Sequence, residues 1–404
     1  MNFINPLQVL KFLFKLQILR QIPFLKTLFP NKRKKIKQQI LAHVMPWYAS
    51  KPISGVWGWH WTMNHFNPEK FTNGRREIAS KFCPLTGPYD SFDRNIVEYQ
   101  LLTMKLAGID GIIIDWYGLT DLYDYSVIHR NATLLVDMAE KFGLSFAICY
   151  EDRTVIELEK NGRLNTNRKL HVANEIRWLS KNWFSKKNYL HFDDKPLLLS
   201  FGVDNMSDEE WKQAIKSADT SVAYVSQAVP RKVATGAFDW PVPSQGLGIH
   251  KKFIKKSDNW ELAIPVAFPR FDDIYEQAKV HGSYGHIPDD NGKTFRNLLT
   301  DAIESDSPFI QIATWNDWGE GTSIEPSLEF GNRDLRTIQD LRRDLIDSDF
   351  PHKARSLDLP FKLLELRRKA RTSSSKLDSV SKFIAEGDTE KASKRISGLL
   401  KETD

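Results

Sequence analysis

Short apolar runs alternate with amphipathic segments along the chain from residue 40 onward. The run Gly111–Asp115 is apolar without alternation, which is typical of a strand buried on both faces. The segment Asp93–Leu106 instead repeats its apolar residues at helical spacing and is followed by Gly108, a residue that often ends helices. This alternation of strands and helices indicates βα units around a parallel sheet.

Eight strands are predicted from the apolar runs. They are Ile40–Trp47, Gly111–Trp116, Ser145–Tyr150, Pro196–Phe201, Val222–Ser226, Gly236–Trp240, Leu262–Phe268 and Phe309–Trp315. The predicted helices are Asp93–Leu106, Asn131–Phe142, Ala173–Phe184, Ser207–Ala218, Ile274–Val280 and Thr294–Ser305. Little helical pattern separates the fifth and sixth strands. Eight units in one chain predict an α/β fold of the (β/α)₈ TIM-barrel class.

Three parts of the chain are predicted: a basic arm over residues 1–38, the barrel over residues 39–350, and a helical extension over residues 351–404. The connection after the first strand, Tyr48–Ser91, is far longer than usual, and such loops often carry function. In the extension, two charged helices, Phe361–Arg371 and Lys376–Leu400, flank a polar linker. The extension either braces the barrel or forms a partner-binding hairpin.

The arm concentrates the positive charge of the chain. Residues 1–40 contain nine Lys/Arg and no Asp or Glu, so the remaining residues have a net charge of −3 within a total of +6. The body therefore offers no electrostatic reason to bind nucleic acid. Lys11, Lys15 and Arg20 interrupt the apolar residues of the arm, so we recognise no secretory signal and expect a cytoplasmic or membrane-peripheral protein. The arm either packs on the barrel or lies on an anionic membrane surface.

Cysteine usage and motifs exclude several kinds of chemistry. Cys83 and Cys149 are the two cysteines, which do not form a disulfide framework and have no zinc-binding spacing. The sequence has no P-loop, no Gly-x-Gly-x-x-Gly fingerprint and no Gly-x-Ser-x-Gly elbow. We therefore expect no nucleotide cofactor and no metal, although rim carboxylates leave a cation as the rival interpretation.

Carboxylates and aromatic residues gather at the predicted strand ends, where the active sites of such barrels lie. Asp115 and Glu151 end the second and third strands, and Asp317 and Glu320 follow the eighth. A single acid there is often only a helix cap, an interpretation that fits Asp152. Two acids and two tryptophans within residues 315–320 are better explained by glycoside hydrolysis, which needs an acid, a second carboxylate and aromatic surfaces for the sugar.

Four segments carry a resemblance to a known family. They are His43–Tyr48, Trp57–Trp61, Pro84–Ser91 and Trp315–Pro326. Together they resemble glycoside hydrolase family 99, the endo-α-mannosidases and endo-α-1,2-mannanases, with the related family 71. The arm and the extension lie outside this resemblance.

The resemblance implies a (β/α)₈ fold, retention of anomeric configuration and no metal cofactor. It implies that Glu320 is the general acid/base and that Asp317 is a base on the 2-hydroxyl of the substrate, giving a 1,2-anhydro sugar intermediate. The family motif usually reads Asn-Glu-Trp-His-Glu-Gly-Thr, so Asp317 and Gly319 depart from it. Asp is one methylene shorter than Glu, which retracts its carboxylate by roughly 1–1.5 Å.

The sugar-binding candidates have two sources. The resemblance implies subsites lined by Tyr48, Trp59, His60, Trp116, Tyr117 and Glu151. Four further candidates are chosen because they lie at a predicted strand end or in the last motif. They are Asp115, Asn316, Trp318 and Glu325.

We therefore predict a retaining glycosidase that cleaves an α-linked oligo- or polysaccharide, with a mannan-like glycan favoured. The departures at Asp317 and Gly319 leave a second hypothesis open, namely a non-catalytic carbohydrate-binding or glycan-biosynthesis protein on the same barrel. A family-71-like α-1,3-glucanase is a third.

Overall fold

The structure is a computed structural model, and it describes residues 38–369 and 373–403. The arm predicted for residues 1–38 lies outside the described residues apart from Gln38, so its packing and membrane contact stay predictions. Among the described residues, no helix is long and apolar enough to cross a membrane.

The described strands are numbered in chain order. They are β1 Gln39–Val44, β2 Phe71–Thr72, β3 Arg75–Arg76, β4 Gly111–Trp116, β5 Ser145–Glu151, β6 His191–Phe192, β7 Lys195–Phe201, β8 Ala223–Gln227, β9 Gly236–Phe238, β10 Leu262–Ile264, β11 Val266–Ala267, β12 Phe271–Asp272, β13 His286–Ile287 and β14 Phe309–Ile312.

Nine of these strands form one parallel sheet in the order β10-β9-β8-β7-β5-β4-β1-β14-β11. Pro265, which has no N–H to donate, divides the predicted strand Leu262–Phe268 into β10 and β11. Since β10 pairs with β9 and β11 pairs with β14, the sheet curls into a nearly closed barrel. The predicted TIM-barrel class is confirmed.

Helices follow most of the strands. The α-helices are Lys51–Ser54, Trp59–Thr62, Arg94–Ala107, Tyr125–Phe142, Arg153–Lys160, Arg168–Asn182, Asp208–Ser217, Gly248–Lys256, Lys293–Glu304, Arg333–Leu341, Leu359–Arg368, Ser374–Ala385 and Thr389–Thr403. Short 3₁₀ helices are Pro243–Gln245, Ser257–Asn259, Asp290–Gly292 and Ala354–Asp358, and the π-helical turn is Arg342–Ile346.

Two predicted helices are wrong. Residues 274–280 form turns because the Asp273 carboxylate accepts the backbone N–H of Tyr275, a local bond that competes with helix formation. The predicted helix Lys376–Leu400 is two helices, which are separated at Gly387 by a left-handed backbone conformation with φ of 79°. Helix Gly248–Lys256, between the sixth and seventh predicted strands, was not predicted.

The extension contacts the outer helix Arg94–Ala107. Arg367 forms an ion pair with the buried Glu98 of that helix, with Nη2 3.0 Å from Oε1. Ser381 Oγ donates to the same carboxylate at 2.7 Å. These contacts fit a brace, while the domain boundary at residue 350 stays a prediction.

Strand register decides which side chains point into the barrel. Asp115 pairs with Cys149 across β4 and β5, and His43 Nδ1 lies 3.3 Å from Gln311 Oε1 across β1 and β14. Successive residues of a strand face opposite sides, so Trp116 points outward while Asp115 points inward. The upper barrel interior is therefore polar.

Candidate active site

A cleft of about 1230 Å³ opens beyond the carboxyl ends of the strands, and a pocket of about 440 Å³ adjoins it. Glu320 and Glu151 line the cleft, whereas Asp317 and Tyr48 line the pocket. Five residues line both spaces: Trp59, His60, Tyr117, Arg153 and Tyr284. The structure thus brings the two predicted catalytic carboxylates to neighbouring walls of one depression.

The turn after β14 holds both acids through backbone hydrogen bonds. The Glu320 N–H donates to Asp317 Oδ1 at 2.9 Å, and the Asp317 N–H donates to Thr314 Oγ1 at 2.7 Å. The Tyr48 hydroxyl donates to the Asn316 carbonyl at 3.0 Å and accepts the Trp318 N–H at 3.1 Å. The turn is therefore fixed independently of any ligand.

Burial and like charge affect the two carboxyls unequally. Burial raises the pKa of Asp317 to about 6, against the opposing effect of backbone N–H bonds from Glu320 and Gly319. Burial, and then the charges of Asp317 and Asp273, raises the pKa of Glu320 well above its usual range. Among the described residues, Glu320 Oε2 is buried and has no hydrogen-bond partner. Glu320 is therefore the group that keeps its proton and Asp317 the group that ionises first.

Two further carboxyls extend the acidic array inward. Burial, followed by the charge of Asp317, raises the pKa of Asp115 well above its usual range. Burial, followed by Asp115 and Asp152, does the same for Glu151. Burial and neighbouring like charges therefore favour the protonated form of both carboxyls. Asp115 lines neither the cleft nor the pocket, so its predicted sugar contact is corrected, because its side chain is buried in the barrel interior.

One buried cluster has side chains that can bind metals. His43, Asp115 and Cys149 offer ligand atoms that lie within 4.8 Å of one another. A tetrahedral zinc ion with bonds of 2.0–2.3 Å would hold its ligands about 3.5 Å apart. Burial lowers the pKa of His43 to about 4, so its imidazole is neutral. The register of β1, β4 and β5 accounts for the cluster without an ion, and the absence of a metal stays a prediction.

The long connection after β1 supplies an aromatic wall. The His60 ring stacks on Trp47 with centroids 4.1 Å apart, and its Nε2 lies 3.5 Å from Asp124 Oδ2. Trp59 is 38% exposed and meets the same histidine edge-on. Such flat, partly exposed rings suit the apolar faces of sugars, as the sequence predicted for Trp59 and His60.

Trp116 does not reach the cleft. Its indole N–H donates to His129 Nδ1 at 3.1 Å, and its ring lies parallel to Trp178 in the helical layer. The prediction of a sugar contact is therefore corrected, because the side chain after the inward Asp115 must face outward.

Three predicted binding residues instead support, from behind, the turn of residues 314–320, which we call the catalytic turn after the predicted roles of Asp317 and Glu320. The Tyr89 hydroxyl donates to Glu325 at 2.7 Å and accepts from Asn316 Nδ2 at 3.1 Å. Trp318 Nε1 donates to the same hydroxyl at 3.3 Å, and Gln100 donates to Glu325 at 2.9 Å. Burial raises the pKa of Glu325 to about 7. Asn316, Trp318 and Glu325 are thus corrected from binding to supporting residues, since none of them lines the cleft or the pocket.

Sequence reasoning missed several lining residues. Arg153 lies two residues beyond Glu151, and its position just after a strand end was an available signal. Tyr275 and Tyr284 lie in the connection that follows β12, part of which was predicted to be helical. Nothing in their local pattern distinguishes them from core aromatic residues.

The fold and the site together define a carbohydrate-active barrel. A family model described as "Glycosyltransferase WbsX" matches residues 245–338, which include the catalytic turn. The "Glycoprotein endo-alpha-1,2-mannosidase" of Mus musculus is 23% identical over 359 residues, covering 80% of this chain and 72% of the relative. The protein of the same name from Rattus norvegicus is 22% identical over 317 residues, covering 70% and 66%.

Solved structures show the same fold. The GH99 endo-alpha-mannosidase from Bacteroides thetaiotaomicron has a TM-score of 0.60 at 19% identity, covering 76% of this chain and 98% of that one. A "Glycoside hydrolase-like protein" has a TM-score of 0.54 at 13% identity, covering 75% and 93%. With the relatives above, they confirm the predicted resemblance to glycoside hydrolase family 99 and the predicted class, a glycoside hydrolase.

Proposed function

We propose that this protein is a retaining glycoside hydrolase acting on α-mannosyl glycans, with Glu320 as general acid/base and Asp317 as the assisting base. The observation that carries the proposal is the turn holding both carboxylates at one depression, with Glu320 strongly favoured in its protonated form and Asp317 less so. The mannosyl substrate is suggested by the names of the relatives.

The proposed reaction has two steps. In the first, Glu320 gives its proton to the glycosidic oxygen as the bond from that oxygen to C1 breaks. Asp317 removes the proton of the 2-hydroxyl, whose oxygen bonds to C1 and forms a 1,2-anhydro sugar. In the second, water attacks C1 and gives a proton to Glu320, while the bond from C1 to O2 breaks and O2 recovers a proton from Asp317. Two inversions at C1 give net retention.

The other lining groups take positioning roles. Glu151 lines the cleft beside Arg153, whose charge opposes the effect of burial on the Glu151 pKa. Glu151 is therefore placed to accept hydrogen bonds from sugar hydroxyls. Tyr48 and Tyr117 line the pocket with Asp317, and their rings exclude water around the reacting carbon.

We expect a bell-shaped dependence of kcat/KM on pH. Asp317 must be ionised to act as a base, so its raised pKa places the acidic limb near pH 6. Glu320 must be protonated, so the rate falls again only at a pH above that limb. Initial rates measured across about pH 3–10, a range that begins below the ordinary aspartate pKa of about 3.9, report both limbs. An acidic limb near the ordinary pKa of an aspartate would contradict the assignment.

A glycan panel tests the substrate class. Purified protein is incubated with α-mannans and α-1,3-glucans, and new reducing ends and product anomers are measured. Release of product from α-mannans with retained configuration supports the proposal. Release from α-1,3-glucan alone supports the family-71-like alternative, and binding without release supports a non-catalytic role.

A second candidate function is glycosyl transfer. The match to the family described as "Glycosyltransferase WbsX" favours it, because the match spans the catalytic turn. The same panel separates the two when an acceptor glycan is added. A longer product formed without new reducing ends would favour transfer, whereas new reducing ends independent of the acceptor favour hydrolysis.

A further inference from the structure

The connection that follows β11 builds part of the wall of the pocket, and its Ile274 and Ala278 pack against Met63 and Ala79 of the long connection after β1. Strands β12 and β13 pair antiparallel and close a loop over residues 273–285. Asp273 lies at the base of this loop and is buried.

Asp273 binds both ends of the loop. Its Oδ2 accepts the Tyr284 N–H at 2.8 Å and the Ser283 hydroxyl at 2.8 Å, and its Oδ1 accepts the Tyr275 N–H at 3.3 Å. Three donors thus converge on the two oxygens of one side chain. Asp273 therefore helps to hold the backbone of both tyrosines of this loop that line the pocket, Tyr275 and Tyr284.

The loop is also tied to the catalytic turn. The Asp272 N–H donates to the Glu320 carbonyl at 2.9 Å, and the Ile274 N–H donates to the Gly319 carbonyl at 3.0 Å. Asp273 sits between these two attachments. Backbone bonds on both sides thus hold the main chain of Asp273 beside Gly319 and Glu320.

The rings held by this loop form a continuous aromatic surface. His281 lies 4.6 Å from Tyr275 and 4.6 Å from Tyr284 between ring centroids. All three line the pocket that contains Asp317. A Cβ at Gly319 would lie 2.9 Å from Met63 Cε, and in ordinary contact with Asp317 Oδ1 at 3.5 Å and the Tyr275 hydroxyl at 3.8 Å, so the catalytic turn packs closely between Asp317 and this wall.

We propose that Asp273 is a positioning residue that holds this aromatic wall and places a third carboxyl group beside Glu320. The inference rests on the proposed function of Glu320. It adds a third carboxylate to the pair found from the sequence, with a role in orientation and electrostatics instead of contact with the sugar.

The charges around Glu320 agree with this role. Asp317 on its own turn and Asp273 on the loop both raise the Glu320 pKa, after burial. Burial, and then the charges of Asp317 and Glu320, raises the pKa of Tyr275, and burial followed by the charge of Glu320 raises the pKa of Tyr284. Glu151 and Arg153, at the end of β5 and the start of the next helix, line the same cleft as Glu320.

The test is Asp273→Asn, which keeps the shape and removes the charge. We expect the basic limb of kcat/KM to move to lower pH by about one unit, which is the usual effect of one close carboxylate. Release of the wall should raise KM several-fold. Glu276→Gln, an exposed carboxylate on the same loop, is the matched control and should change neither quantity.

A readout without turnover separates this inference from the proposed function. Infrared titration of the protonated-carboxyl band, assigned with Glu320→Gln, reports the Glu320 midpoint directly. A lower midpoint in Asp273→Asn supports the inference even if no glycan is cleaved. An unchanged midpoint in a folded variant overturns it. If Asp273→Asn does not fold by circular dichroism, Asp273→Ser is the second neutral variant and is judged by the same midpoint.

Discussion

Glu320→Gln should lower kcat on a natural α-mannoside by about 10²–10⁴-fold, the usual contribution of a general acid/base. The amide keeps the size of the side chain but has no proton to give to the leaving oxygen. Because Glu320 Oε2 has no described hydrogen-bond partner, the substitution breaks no bond within the described residues. Ligand affinity should therefore stay within a few-fold of the wild type, as measured by calorimetry with a substrate fragment.

The choice of leaving group makes this result specific to acid catalysis. An aryl glycoside with a low-pKa leaving group needs no protonation, so Glu320→Gln should retain much of the first step on it. Asp317→Asn should lose that step on both substrates, because the base is needed regardless of the leaving group. Glu261→Gln, an exposed glutamate next to the start of β10, is the matched control with unchanged rates. Equal losses on both substrates in Glu320→Gln would refute its role as acid.

The barrel was predictable because its strands are apolar runs of similar length. Gly111–Trp116 is buried along its whole length, and its local pattern already matched that environment. The helix predicted over Ile274–Val280 failed for a physical reason. The segment does have apolar residues at helical spacing. However, the Asp273 carboxylate accepts backbone N–H groups at both ends of the loop. One of these bonds joins Asp273 to Tyr284, eleven positions away, and a local pattern does not reveal such a contact.

The site was predicted in part, and strand parity explains one error. Asp115 faces the barrel interior, so the next residue, Trp116, had to face the helices. That correction was available from the sequence alone. The supporting role of Glu325 was not, because it depends on the Tyr89 hydroxyl and the Gln100 amide, which come from distant parts of the chain.

Asp273, Tyr275 and Tyr284 were missed for a different reason. They lie in the loop of a two-stranded hairpin and not at the end of a barrel strand, so the rule that active sites lie at strand ends gave no reason to select them. Their place beside Glu320 comes from backbone bonds between residues 272–274 and the catalytic turn. Loop residues of this kind are found from coordinates and not from periodicity.

Arg270→Met should cause the largest loss of stability, about 3–5 kcal/mol in the free energy of unfolding. Arg270 is buried, and its Nη2 lies 2.8 Å from Asp334 Oδ2 while its Nε lies 3.4 Å from Asp289 Oδ1. Asp334 is itself buried, so removal of the Arg270 guanidinium leaves the Asp334 carboxylate with less positive charge near it. Methionine keeps the apolar contacts of the side chain, which isolates the loss of charge.

The same guanidinium supports the catalytic turn, so activity should fall with stability. Arg270 Nη1 donates to the Ser323 carbonyl at 3.1 Å, three residues beyond Glu320. Urea unfolding gives the stability, and kcat/KM measured where the variant is folded should fall at least tenfold. Arg333→Met is the matched control, because Arg333 binds the same two aspartates but is about one-third exposed. Arg333→Met should lower the free energy of unfolding by about 1 kcal/mol, as expected for an ion pair that is partly exposed to water. Equal losses in the two variants would show that the buried position of Arg270 gives it no special role.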